Sequence, residues 1–185
     1  MKCFMIGMKD NEISRKYMEI TIPHTEDILG CKVQILDAIL PDDSIIDHNK
    51  FSKIKTKTYG TTGKPFSSTE KAIWYSHLKA WDIILKNENE SIWILEHDAI
   101  IDKPPVFENN TCAIFANNPG CAVAYCMKPY LVRRLKETFD TIKSMDMQVD
   151  TFMDWWFYFH NESKRLCKIV KAEQLTQFGT TITHL

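Results

Sequence analysis

The densest chemistry in the chain is the triplet Glu96-His97-Asp98, which follows directly on an apolar run from Ser91 to Leu95. A run of that length and composition reads as a short buried strand, so the triplet falls at the strand's end. In an open α/β sheet, ligands gather outside the carboxyl ends of the strands. Residues one and three of such a triplet can project to one side, which leaves Glu96 and Asp98 able to share a cation. Carboxylate oxygens suit Mg²⁺ or Mn²⁺, and a neighbouring imidazole favours Mn²⁺. A strand-terminal turn with a solvated pair of acids has the same spacing, and spacing alone leaves both readings open.

Other groups are more ambiguous. Between Lys50 and Lys71 lie six lysines (Lys50, Lys53, Lys55, Lys57, Lys64 and Lys71) against one acid, Glu70. This is either a solvated loop or a flap that meets phosphates of a nucleotide or a nucleic-acid backbone. Cysteines stand at 3, 31, 112, 121, 126 and 167, with no CxxC pair and no zinc spacing. They read as thiols in apolar runs rather than disulfides. The cluster Trp155-Trp156-Phe157-Tyr158-Phe159 cannot all be buried on one helix face. Most of it suits a core, and one exposed ring would suit stacking on a sugar or base.

The elements that must position these groups alternate. Lys2 to Met8 and Lys32 to Leu36 read as strands, and Glu12 to Ile20 as a helix that meets Pro23. The clearest helix begins at Ser67-x-x-Glu70, a capping box. It continues with Ile73, His77, Ala80, Trp81 and Ile84 at three-to-four-residue spacing. Cys121 to Met127 is another strand. Pro129 opens a helix with Val132, Leu135, Phe139 and Ile142 on one face. Asp150 to His160 is an aromatic-rich helix, and Leu166 to Ala172 a last strand. A loop from about Lys53 to Lys64 carries no periodicity and reads as mobile. Strands alternating with helices predict an α/β layered fold.

Composition sets the limits. At 185 residues, 44% hydrophobic and 25% charged, with 6 Gly and 7 Pro, the chain is neither disordered nor collagen-like. Its length predicts a single compact domain over 1–185. A formal charge of −1 supplies no global field for nucleic acid or acidic membrane. The longest unbroken apolar run, Cys121 to Met127, is far short of the ~20 residues of a membrane span. Lys9 and Asp10 cut off the apolar stretch Cys3 to Met8 before it reaches the length of a secretory signal. A cytoplasmic location is expected.

The string Glu70 … Ser76-His77 … Trp81, followed by WILEHDAII, resembles glycosyltransferase family 25, the lipopolysaccharide and collagen glycosyltransferase group. Its members carry an E-x-G-C-x-x-SH helix, a Trp a few residues on, and ILEDD at a strand end. Further pieces fall in family order. MIGMKDNEISRKYM resembles the opening strand and its sequel, QILDAILPDD the F-x-A-V strand, AVAYCMKPYLVRRL the AY-L-I-S-x-x-A-x-x-L strand and helix, and QVDTFMDWWFYF the P-V-D element. Two positions depart from the pattern: His97 replaces the middle Asp of EDD, and E-K-A replaces E-x-G-C after Glu70.

The resemblance implies a type-A glycosyltransferase fold, a Rossmann-like mixed sheet flanked by helices. It also implies an inverting hexosyl- or pentosyltransferase that uses a nucleotide sugar, a UDP-sugar by family habit. A diphosphate leaving group accumulates negative charge that a cation must neutralise. Glu96 and Asp98 would hold the metal, Mn²⁺ rather than Mg²⁺, with His97 an extra ligand or a donor to one. Asp150 is the first candidate for general base and Asp154 the second. As a helix N-cap, however, Asp150 needs no catalytic role. Ser76, His77 and Glu70 would bind substrate, and Asp37 would meet the ribose or base. The expected acceptor is a glycan. The alternatives are the same chemistry on a modified DNA base and a catalytically degenerate sugar-nucleotide-binding module.

Overall fold

A computed structural model describes residues 1–55, 62–87, 90–109, 111–159 and 167–178. Six strands form one mixed sheet in the order β2-β1-β3-β6-β5-β7: β1 (Lys2–Gly7), β2 (Val33–Asp37), β3 (Ile92–Glu96), β5 (Ala113–Ala116), β6 (Ala124–Met127) and β7 (Cys167–Val170). β1 pairs in parallel with β2 and β3, and β5 in parallel with β7, while β6 runs antiparallel to both its neighbours. β4 (Ala99–Ile101) and β8 (Ala172–Gln174) form a separate antiparallel pair beside it. This is the expected α/β architecture, a mixed sheet flanked by helices.

Period-2 alternation sorts the strand side chains onto two faces. Cys3, Met5, Trp93, Leu95, Ala124 and Cys126 face α1 (Glu12–Leu29). Ile6, Ile92, Ile94, Phe115, Tyr125 and Met127 face the layer made by α2 (Ser68–Lys86), α3 (Pro129–Thr141) and α4 (Val149–Phe159). The central strands β3, β5 and β6 are buried on both sides, which is why β3 reads as an unbroken apolar run.

α1 continues nine residues beyond the expected Ile20, through Pro23, to a left-handed Gly30 at φ 63°. Proline removes the bond to the carbonyl of Glu19. Glu19, Ile20 and Pro23 are all exposed, so the lost bond lies on the solvent-facing side, while buried Thr21, Thr25 and Leu29 hold the second half against the sheet. α2 starts as the sequence predicts: Ser67 accepts from the Glu70 amide at 3.1 Å, and the Glu70 carboxylate accepts from the Ser67 amide at 2.8 Å. Residues 56–61 of the expected mobile loop from Lys53 to Lys64 lie outside the described residues. Its base is closed by a Lys53–Pro65 bridge and by Ile54 donating to the Lys64 carbonyl.

Candidate functional site

The parallel strands β2, β1 and β3 end together. Asp37 is in register with Gly7, and Ile6 with Glu96, so Asp37 and Glu96 stand two strand spacings apart, about 10 Å. Chain order reverses at β1, which places this edge at the topological switch point where α/β sheets form ligand crevices.

Glu96 shares its face with Ile92 and Ile94 and therefore points toward α2 and α4. Its Oε1 lies 3.6 Å from Nε2 of His77, and its Oε2 accepts from the Gln174 amide at 3.2 Å. His77 is 1% exposed, and its Nδ1 is 3.0 Å from the Tyr125 hydroxyl, so the imidazole is fixed between β6 and Glu96. Asp98 lies beside Glu96. Burial, aided by the charge of Glu96, pushes its carboxyl up to about 6 despite the nearby Gln174 amide. Its Oδ1 is buried without a hydrogen-bond partner.

His97 behaves differently. Its ring packs on the α1 side against Tyr17, with centroids 5.7 Å apart, and its Cβ borders Gly7. Burial lowers its pKa, opposed by Glu96 and by a hydrogen bond to the Ile6 backbone. The expected third ligand thus turns to the other side of the sheet from the Glu96 carboxylate, because consecutive residues leaving a strand alternate. Among the described residues no three His, Cys, Asp or Glu side chains form a group able to hold a metal ion.

Asp150 enters from the first turn of α4. Burial raises its pKa from the ordinary Asp value, Glu96 adds to the rise, and hydrogen bonds from Thr151 and the nearness of His77 oppose it. Two side chains of α2 hold the segment that delivers it. Glu70 accepts from the Gln148 amide at 2.7 Å, and the Trp74 indole donates to the Met147 carbonyl at 2.9 Å. Asp154, one turn further on, is exposed. Gly120, between β5 and β6, meets α4 so closely that a Cβ there would lie 2.3 Å from the Asp154 amide.

The remaining expected contacts serve the frame. Ser76 is buried; its hydroxyl accepts from the Ile39 amide and donates to the Ala72 carbonyl, both at 2.9 Å. It therefore anchors the loop after Asp37 rather than offering a free hydroxyl. Asp37 is exposed and pairs with Lys9 at 3.0 Å, while Lys79 donates to its carbonyl at 2.7 Å. Of the lysines between 50 and 71, Lys50 donates to the carbonyls of Asp140 and Ile142 at the end of α3, and Lys55 pairs with Asp146. Lys57 lies outside the described residues. Sequence reasoning missed Tyr125, Gln148 and Gln174, which hold His77, Glu70 and Glu96; the only signal for Tyr125 was its place inside an apolar strand.

No helix among the described residues is long and apolar enough to cross a membrane. No curated protein matches the chain. A solved structure that matches the chain is described as the crystal structure of a glycosyltransferase involved in the glycosylation of the major capsid of PBCV-1. It is 10% identical, with a TM-score of 0.46 over 91% of this chain and 81% of that one. The sequence model of glycosyltransferase family 25 (LPS biosynthesis protein) matches residues 1–119, a span that includes Asp37, Glu70, Ser76, His77 and the 96–98 triplet and stops short of Asp150. That match covers more than half of the chain, which therefore belongs to glycosyltransferase family 25 and is a glycosyltransferase.

Proposed function

We propose that the chain transfers a sugar, with inversion, from a nucleoside-diphosphate donor bound across the ends of β2, β1 and β3 to a hydroxyl of a glycan acceptor. The observation that carries this reading is the Asp98 carboxylate, buried beside Glu96 with one oxygen lacking any partner. Such an arrangement is unfavourable in an isolated fold and is relieved by a cation.

Glu96 and Asp98 fit a divalent ion, with a diphosphate supplying further oxygens, as is usual for Mg²⁺ and equally open to Mn²⁺. Such an ion supplies neutralisation of the charge that develops on the leaving diphosphate. His77 holds the Glu96 carboxylate in place. Asp37, at the far end of the same edge, accepts from the ribose hydroxyls. Asp150 takes the proton from the acceptor hydroxyl as its oxygen bonds to the anomeric carbon and the diphosphate departs. Its raised pKa suits that task, since a base is most effective when its pKa approaches the working pH. Glu70 and Ser76 act at one remove: Glu70 through Gln148 on the entry to α4, Ser76 through the loop after β2. In the lysine-rich stretch Lys50 and Lys55 are engaged with the chain itself, whereas Lys53 and Lys64 are exposed.

The test is a panel of nucleotide sugars incubated with the protein and a divalent ion, reading released nucleoside diphosphate. One donor should be turned over by the wild type and not by Glu96→Gln. Absence of turnover with every donor, with and without glycan acceptors, would overturn the proposal.

A further inference from the structure

The Sγ atoms of Cys112 and Cys167 lie 3.8 Å apart in a hydrogen-bonded contact between residues 55 positions apart in sequence. Cys112 directly precedes β5 and is 2% exposed. Cys167 opens β7, in register with Ala113, and β7 is the outermost strand of the sheet. One thiol is therefore buried and its partner sits half-buried on the strand that ends the sheet among the described residues. From this geometry we propose that Cys112 and Cys167 are a modification site: on exposure to a low-molecular-weight disulfide they close into a reversible intramolecular disulfide.

Several features set this pair apart from the other thiols. An S–S bond needs a separation of about 2.05 Å, which leaves about 1.8 Å to be closed. The register already brings the two strands together, so rotation of the side chains can supply most of that movement. The hydrogen bond from Cys167 holds the Cys112 thiol below its ordinary range, and the charge of Lys128 lowers it further. Burial pushes Cys3, Cys121 and Cys126 the other way, and the hydrogen bond to Cys112, with burial, raises Cys167 as well. The shared hydrogen bond thus makes Cys112 the better thiolate and holds the proton on Cys167, the more accessible sulfur, so Cys167 meets the reagent as that proton passes along the contact.

The chemistry closes without any further reagent. Oxidised glutathione exchanges with Cys167: the Cys167 sulfur bonds to one glutathione, and the other leaves as a thiol carrying the Cys167 proton. The Cys112 sulfur then attacks the sulfur of Cys167, and the second glutathione leaves with the Cys112 proton. Two cysteine thiols are oxidised and one reagent disulfide is reduced to two thiols. The product ties the edge strand to β5. β7 passes through Lys171 directly into β8, which carries Gln174 to Glu96, so the crosslink also fixes the strand pair bordering the carboxylates.

The experiment titrates the wild-type chain with mixtures of oxidised and reduced glutathione, alkylates the remaining thiols, and maps the peptides. A Cys112–Cys167 crosslinked peptide should accumulate and revert with dithiothreitol. The oxidised chain should melt about 5 °C or more above the reduced one, because the bond constrains a long loop of the unfolded chain. Cys167→Ser, at the sheet edge, should abolish both the crosslink and the rise. A stable glutathione adduct on Cys167, a crosslink that recruits Cys31 or Cys121 in place of either partner, or full alkylation of both thiols throughout the titration would overturn the proposal.

Discussion

Glu96 Oε1 stands 3.6 Å from His77 Nε2, so the last residue of β3 is held by a buried histidine from the middle of α2. The His77 ring is in turn fixed by the Tyr125 hydroxyl on β6. A carboxylate at the crevice is thus oriented by a chain of contacts that begins in the core. Tyr125→Phe keeps the ring and leaves His77 Nδ1 without its partner. It should lower stability by about 1–3 kcal/mol in urea unfolding, with an unchanged m-value. Donor turnover should fall as well, because the imidazole that positions Glu96 is released. Unaltered stability would show that the hydroxyl contributes nothing.

Asp98 makes a pH prediction of definite sign. Its folded pKa is raised from 3.8 to about 6, so the folded chain binds the proton more tightly than the unfolded chain. The stability this contributes is fully present below pH ~4 and is lost as pH rises through about 6. Two pKa units correspond to about 3 kcal/mol as an upper figure. Asp98→Asn, which cannot ionise, should match the wild type in melting temperature near pH 4 and exceed it near pH 7.5, while losing activity. A variant less stable than the wild type at pH 7.5 would contradict the electrostatic account. This is the trade expected where a site needs a charge that the fold disfavours.

Asp150 and Asp154 can be separated by kinetics. Asp150 is half-buried within the electrostatic reach of Glu96 and His77, whereas Asp154 is exposed on the next turn. Asp150→Asn should lower kcat by about 10²- to 10⁴-fold with little change in donor KM. Asp154→Asn should stay within about twofold of the wild type, as exposed substitutions generally do. Equal losses in the two variants would remove the base from Asp150.

Gly120 combines a φ of 88° with a backbone approach of 2.3 Å from its would-be Cβ to the Asp154 amide. Gly120→Ala must both strain the loop and push α4 outward. A loss of about 3 kcal/mol or more, or failure to accumulate as folded protein, is expected from the two effects together. A melting temperature within one or two degrees of the wild type would mean that α4 shifts freely.

Much of the frame was legible because local signals agree with the fold. The capping box at Ser67 and Glu70, the apolar run before Glu96 and the proline opening α3 each have a local physical cause, and each lies within a residue or two of its expected place. α1 ran past Pro23 because tertiary burial of Thr25 and Leu29 outweighs one lost hydrogen bond on a wet face. β4, β5 and β8 are three or four residues long, too short to show a period, and only pairing creates them.

The site was legible as residue types and not as roles. Glu96, Asp98 and His77 gather at one strand end with Asp150 in their electrostatic reach, although they come from three elements. Ser76 and Glu70 carry the family pattern and yet bond to the chain itself, because a motif shows which side chain is required and not where its hydrogen bonds go. His97 shows the same limit: its direction follows from strand alternation, and the ring packs on Tyr17.

The central claim is that Glu96 and Asp98 bind the donor through a divalent ion at the end of β3. Calorimetric titration of nucleotide sugars, with UDP-sugars first, tests it directly in Mn²⁺, in Mg²⁺ and in EDTA, on the wild type and on Asp98→Ala. The account predicts one donor whose affinity falls at least about tenfold in EDTA, and equally in the variant, roughly the 1.4 kcal/mol of a single lost charge contact. An affinity that is the same with and without the ion, and the same in Asp98→Ala, would contradict it.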